Sequence, residues 1–131
     1  MFHRLTGAAF AAVLLLAAGC ASEVTRQVID APVATPQAGK RFTLSQPASF
    51  RLDSGYGRTV PAHAEFAGVG RIAQGLVFRP IDIVLTVEGK HMHEAYAVVR
   101  DDTLVGFYLP VEKAFSPLSQ TTPFLLIERK Q

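Results

Sequence analysis

Apolar and polar residues alternate along the last two thirds of the chain, with the period of two that is typical of a β-strand. The clearest stretch is 81–88, in which every second residue from Ile81 to Val87 is apolar. Successive side chains of a strand point to opposite faces, so this stretch predicts a strand with one buried face. Shorter alternating stretches at 42–44 and 50–52 predict two more strands.

Turn and strand signals continue towards the C-terminus as an antiparallel meander. The Glu-Gly-Lys sequence at 88–90 predicts a turn, which is followed by strands over 91–100 and 103–109. Asp101-Asp102 between those strands predicts a tight turn of two residues. These two strands are therefore expected to form a β-hairpin.

The two-residue turn also predicts which side chains of the hairpin face each other. It places Val98 opposite Val105 and Tyr96 opposite Phe107 on one face of the hairpin. We therefore expect Tyr96 to pack on Phe107 in the core of the domain.

Glycine and proline mark the less regular parts of the pattern. Three glycines within 64–78 favour a bent or bulged strand. A last strand is predicted at 124–129, after a loop that carries Pro117 and Pro123. The sequence predicts a small all-β domain over 40–131, an antiparallel sandwich or partly closed barrel of about six to eight strands.

The N-terminus follows a different plan, that of a secretory signal peptide. Residues 1–6 contain Arg4, residues 7–18 are an apolar run, and Gly19 is small. A membrane-spanning helix needs about 20 apolar residues, and this run is too short for that. The pattern favours a signal peptide over a transmembrane helix.

The end of this segment, Leu16-Ala17-Ala18-Gly19-Cys20, resembles the lipobox of bacterial lipoproteins. The resemblance implies that a diacylglyceryl group is attached to the Cys20 thiol and that a dedicated peptidase removes residues 1–19. The cysteine is then the first residue of the mature chain and carries fatty acids such as palmitate. No aspartate follows Cys20, and the resemblance therefore implies attachment at the periplasmic face of the outer membrane rather than the inner one.

Residues 20–39 separate this cysteine from the predicted β domain. They are rich in Ala, Thr, Gln, Val and Pro, and they lack a sustained apolar period. Such a sequence predicts a flexible tether, which as a coil would average about 25 Å in length. We expect the domain over 40–131 to fold without it.

Charge and cysteine content exclude several classes of function. The formal net charge of the 131 residues is +2, and loss of residues 1–19 removes Arg4. The remaining arginines are scattered, which argues against nucleic acid as a partner. Cys20 is the single cysteine, so an intrachain disulfide cannot form.

His91 and His93 are candidate metal ligands. Residues two apart on a strand point the same way, so both imidazoles would lie on one face, where copper or zinc could bind. His-x-His also occurs in cupin-type sites, but the glutamate that follows in those sites is replaced by Ala97 and Val99. The alternative is two histidines beside a turn, and we expect no bound metal or cofactor.

Asp53 is the candidate catalytic residue. Asp53-Ser54-Gly55 resembles the Asp-Ser/Thr-Gly turn of retropepsin-type aspartic proteases, which dimerise to bring two aspartates together, and 104–106 loosely fits a second motif of that family. The resemblance implies that two such carboxylates would share a proton and activate water. The alternative is an ordinary turn, for which Asp-Ser-Gly is a common sequence.

Together these patterns predict a lipid-anchored protein of the cell envelope that acts as a non-catalytic binding or structural module. Its expected partners are the membrane, through lipid on Cys20, and an envelope protein or a cell-wall component. The alternatives are a small envelope enzyme that uses Asp53 and a periplasmic protein that binds metal through His91 and His93.

Overall fold

The structure, a computed structural model, describes residues 23–130 as an all-β fold without a helix. This confirms the predicted fold class. The strands are β1 (Gln27–Val28), β2 (Arg41–Leu44), β3 (Ala48–Arg51), β4 (Gly57–Val60), β5 (Glu65–Ile72), β6 (Gly75–Pro80), β7 (Thr86–Glu88), β8 (Met92–Glu94), β9 (Tyr96–Arg100), β10 (Thr103–Leu109), β11 (Ala114–Pro123) and β12 (Leu126–Glu128).

Eight strands form one antiparallel sheet in the order β1-β11-β10-β9-β6-β5-β2-β12, and the hairpins β3-β4 and β7-β8 form two smaller sheets. Only Phe124 and Leu125 separate β11 from β12, although these strands lie towards opposite sides of the large sheet. Three residues of extended chain reach about 10 Å at most, so the sheet must curl to bring its sides together. Among the described residues it stays open, with β1 and β12 as its outer strands.

The concave side of the curled sheet holds the larger of two apolar clusters, here called the inner core. Three aromatic pairs link its strands at ring-centroid distances of 5.1 to 5.6 Å: Phe42 with Phe78, Phe50 with Phe107, and Phe66 with Phe124. The hairpins β3-β4 and β7-β8 contribute buried side chains to it. Each fully buried Phe or Leu contributes about 1.5–3 kcal/mol, so the inner core is the main source of stability.

A second apolar cluster, here called the outer cluster, is built around five buried residues: Ile72, Val77, Val98, Tyr108 and Phe115. Strand β9 contributes to both clusters, because Val98 belongs to the outer cluster while Ala97 and Val99 belong to the inner core. The middle of the sheet is thus apolar on both faces. Its outer face needs a cover that excludes water.

Residues 24–39, here called the N-terminal segment, lie along the sheet. β1 pairs with β11, and Ile29 packs on the outer cluster. Val33 exchanges two backbone hydrogen bonds of 2.9 and 2.8 Å with Arg71, and Gly39 N donates to Gly68 O at 2.9 Å. The prediction of a flexible tether is therefore wrong for this segment, because the β-sheet supplies partners for its backbone.

The predicted turn of the β9-β10 hairpin is confirmed, since Asp101 and Asp102 form it with φ angles of 51° and 57°. Positive φ at both positions is characteristic of a type I′ turn. Beyond the turn the register shifts at a β-bulge between Leu104 and Gly106. The bulge inserts one extra residue into β10, so every later pair differs from the prediction.

The bulge reverses the expected faces of the aromatic residues. Tyr96 lies opposite Tyr108, with ring centroids 6.3 Å apart, and belongs to the outer cluster. Phe107 lies opposite Ala97 and packs in the inner core. The predicted contact between Tyr96 and Phe107 is therefore wrong, and so is the predicted pairing of Val98 with the residue at position 105.

Two predicted strands are divided in the structure. The stretch 64–78 forms the hairpin β5-β6, with a bulge between Gly68 and Gly70. The stretch 91–100 is interrupted at Ala95, where β8 pairs with β7 and β9 joins the large sheet. The predicted bulge is confirmed, but a single bent strand is not.

The predicted proline-bearing loop is instead the ten-residue strand β11. Gly106 pairs with Pro117 and Leu104 with Thr122, so residues 118–121 lie opposite a single residue of β10. This large bulge takes up the irregularity around Pro117, since a proline cannot donate a hydrogen bond to a neighbouring strand.

We predict that Gly106→Ala destabilises the protein by about 1–3 kcal/mol through overpacking. A Cβ atom at this position would lie 2.5 Å from Ser116 O and 2.7 Å from the ring of Phe115. Gly57→Ala is the matched control, because its nearest neighbour would lie 3.7 Å away. Denaturant unfolding measures both variants, and equal stability of the two would contradict the packing described here.

We predict that Gly70→Ala displaces the N-terminal segment from the sheet. The added Cβ would lie 2.3 Å from Val33 O, which is closer than atoms approach one another. Hydrogen exchange at the Val33 amide, which bonds to Arg71 O, should accelerate by about tenfold or more, equivalent to about 1.4 kcal/mol. Gly57→Ala again serves as the control, and unchanged exchange in Gly70→Ala would refute the prediction.

Candidate functional site

The start of the described chain is held in place by contacts on the concave side of the sheet. Val24 packs against the inner core, and the Ser116 hydroxyl donates a 2.7 Å hydrogen bond to Thr25 O. Residues 23–25 line a cavity of about 160 Å³ together with the β3-β4 turn and β11. The chain is thus part of the fold from its first described residues.

A polar cluster continues these contacts at Arg26. His93 on β8 is buried, and its Nδ1 lies 2.6 Å from Glu112 Oε1 in the β10-β11 turn. Its Nε2 lies 3.4 Å from Arg26 Nη1. A guanidinium can only donate, so Nε2 accepts and Nδ1 carries the hydrogen that is donated to Glu112. The imidazole therefore bridges an arginine and a carboxylate.

The charges of the cluster favour an ionised Glu112. Burial raises the pKa of its carboxyl group, but the hydrogen bonds from His93 and from the backbone, with the positive charges of His93 and Arg26, lower it. The lowering effects are the larger, so the pKa lies below its ordinary value of 4.5. The Glu112 carboxylate is therefore charged at neutral pH.

The cluster is better suited to holding the fold together than to chemistry. A histidine oriented by a carboxylate is a common catalytic pair when its other nitrogen faces a nucleophile. Here that nitrogen faces Arg26, which cannot act as one. The contacts instead join the N-terminal segment, β8 and the β10-β11 turn, which are distant in sequence.

The two candidate metal ligands differ in their surroundings. His91 is exposed and precedes β8, whereas His93 is buried with both ring nitrogens in contact with Glu112 and Arg26. A cation at Nε2 would be repelled by the guanidinium. Within residues 23–130, no group of three or more His, Cys, Asp or Glu side chains is placed to hold a metal ion.

Asp53 lies exposed in the turn between β3 and β4, and its Oδ1 accepts a 2.5 Å hydrogen bond from the Ser119 hydroxyl. The neighbouring Ser54 hydroxyl donates to Glu88 O. The Asp-Ser-Gly turn is therefore bonded to the bulge of β11 on one side and to the β7-β8 hairpin on the other. Its second protease-like motif, 104–106, lies within β10, where Leu104 and Gly106 are buried.

Cys20, the predicted lipidation site, lies outside the described residues. Glu23, where the description begins, follows it by three positions. None of the elements formed by residues 23–130 is a helix able to cross a membrane.

A surface cleft of about 630 Å³ lies between the N-terminal segment and the β5-β6 turn. It carries Asp30 and Arg71 beside apolar side chains such as Ile29 and Ile72. One wall belongs to the N-terminal segment, so the cleft exists only while that segment stays on the sheet.

The sequence contained no local signal for the cluster around His93. Arg26 is 67 positions away from His93, and Glu112 is 19 positions away. Only the fold brings these residues together. Comparison of the chain with protein-family models, with curated proteins and with solved structures gave no match.

We predict that Glu112→Gln lowers the free energy of unfolding by about 1–3 kcal/mol at neutral pH, because a charged hydrogen bond to His93 is lost. The folded-state pKa of Glu112 is lowered, so its contribution is present above the unfolded value and is lost as the pH falls through the folded one. The difference between wild type and variant should therefore shrink between about pH 5 and pH 3.

Glu128→Gln is the control for this prediction. Glu128 pairs at 3.5 Å with Lys40, and both side chains are about half exposed, so its loss should cost less than about 0.5 kcal/mol. A difference for Glu112→Gln that stays constant from neutral to acid pH would contradict the proposed charge state.

Proposed function

We propose that the protein is a lipid-anchored, non-catalytic binding or structural module of the cell envelope, attached by lipid on Cys20 to the periplasmic face of the outer membrane. The observation that carries the proposal is the lipobox-like sequence that ends at this cysteine. Two or more acyl chains, at about 0.8 kcal/mol per buried methylene, make such attachment durable.

The contacts of the N-terminal segment support this proposal. β1 pairs with β11, and the Ser116 and His93 side chains contact Thr25 and Arg26. Removal of residues 1–19 would leave these contacts intact. The attachment point would then be joined directly to a folded body, which suits a protein that acts at a membrane surface.

A binding or structural role is favoured over catalysis by what the candidate catalytic groups do in the fold. The Asp53 carboxylate bonds to Ser119, and the His93 ring bonds to Glu112. Both contacts join separate parts of the chain. An envelope protein or a cell-wall component is the partner class that fits the proposed location.

We predict that Cys20→Ser abolishes incorporation of a radiolabelled fatty acid and leaves the fold intact, since only the thiol accepts the diacylglyceryl group. The protein should then lose its firm hold on the membrane fraction. Metabolic labelling followed by membrane fractionation measures both effects.

The matched control moves the single cysteine by two positions, in the double variant Cys20→Ser, Ser22→Cys. It retains one thiol but separates it from Gly19, so it should also remain unlabelled. Equal label in wild type and Cys20→Ser, or a wild-type protein found wholly in the soluble fraction, would refute the proposed attachment.

A further inference from the structure

The inference begins from the short distance between the proposed lipid and the folded body, and it rests on the proposed function. Three residues separate Cys20 from Glu23, and they reach about 10 Å at most. Val24 already packs against the inner core. A free stretch of 20–39 would have let the body move away from the bilayer, but the docked segment holds it close.

The residues around Glu23 define which side of the body is held there. Glu23 and Val24 share a cavity with Ser54 of the β3-β4 turn. The Ser54 hydroxyl donates to Glu88 O, and Glu88 pairs with Met92 across the β7-β8 hairpin. The β3-β4 turn and the tip of the β7-β8 hairpin thus flank the point at which the chain leaves towards Cys20.

These two elements expose side chains that suit a membrane interface. Tyr56 is 45% exposed and Met92 is 70% exposed, which is high for large apolar side chains. Lys90 and His91 are exposed beside Met92. Tyrosine favours the level of the lipid headgroups, and lysine can place its apolar stem at the interface while its ammonium stays in water.

The charges near this point are balanced rather than strongly positive. Arg51 and Lys90 lie in these elements together with Asp53 and Glu88, and Glu23 adds another carboxylate. Attraction to anionic lipid therefore contributes little. The contact would depend on the anchor, which raises the local concentration of the surface at the bilayer, and on the apolar side chains.

We propose that Tyr56, Lys90, His91 and Met92, here called the anchor-proximal surface, rest on the lipid headgroups and give the anchored protein a fixed orientation. β6 runs from the β5-β6 turn towards the β7-β8 hairpin and has six residues, a length of about 20 Å. The β5-β6 turn and its cleft consequently face away from the membrane, where a partner has access to them.

The composition of the chain makes this orientation measurable, because it has no tryptophan and one cysteine. The chain starting at Cys20 is coupled through that thiol to a maleimide lipid in phosphatidylcholine vesicles that contain brominated acyl chains. Single tryptophans are introduced as Tyr56→Trp and Met92→Trp. Ala73→Trp, exposed in the β5-β6 turn, is the matched control.

Bromine quenches tryptophan only at close range, so fluorescence should fall about twofold or more for Tyr56→Trp and Met92→Trp and remain nearly unchanged for Ala73→Trp. Two reporter positions keep the test decisive if one variant fails to fold, which circular dichroism detects. Equal quenching at all three positions would show a freely tumbling body, and absence of quenching at both reporters would show a surface held off the lipid. Either outcome overturns the inference.

The result is separable from the proposed function because the lipid is attached chemically. Failure of Cys20 to accept fatty acid in cells would refute the proposed attachment and leave the vesicle measurement unaffected. Normal labelling of Cys20 together with unquenched reporters would refute the orientation alone. An additional Met92→Asp change in the Tyr56→Trp variant should reduce the quenching if the contact is with lipid.

Discussion

The outer face of the central strands must be covered, and much of the rest of the structure depends on this requirement. Val98 and Tyr108 point away from the inner core, yet both are almost completely buried. A strand that is apolar on both faces is stable only when both are shielded from water. In an open antiparallel sheet with no helices among its described residues, the N-terminal segment helps to provide that cover.

The cover in turn explains two glycines of β5. A Cβ at Gly68 would lie 2.1 Å from Gln37 O, and one at Gly70 would lie 2.3 Å from Val33 O. The backbone of the N-terminal segment thus approaches the sheet as closely as a neighbouring chain can. The bulge between these glycines marks the place of that approach, and the proposed membrane anchor is consequently joined to the body at short range.

The sequence predicted features that depend on local chemistry. Alternation identified the strands around Phe42 and Phe50, and adjacent aspartates identified the turn at Asp101. It could not predict the bulge at residue 105, because an extra residue leaves the apolar character of a doubly buried strand unchanged. The prediction of a tether failed for a related reason: residues 24–39 lack an apolar period, but backbone hydrogen bonds to the sheet do not require one.

The candidate site shows the same division more sharply. His93 was singled out as half of a His-x-His pair, whereas its partners in the fold are Arg26 and Glu112. Neither partner is distinctive in sequence, because an isolated arginine or glutamate in a polar stretch is usually solvated. Burial gives them a role, since an ionised carboxylate removed from water needs a donor and a compensating charge. His93 and Arg26 meet those needs, and in doing so they tie the chain that follows Cys20 to the body of the protein.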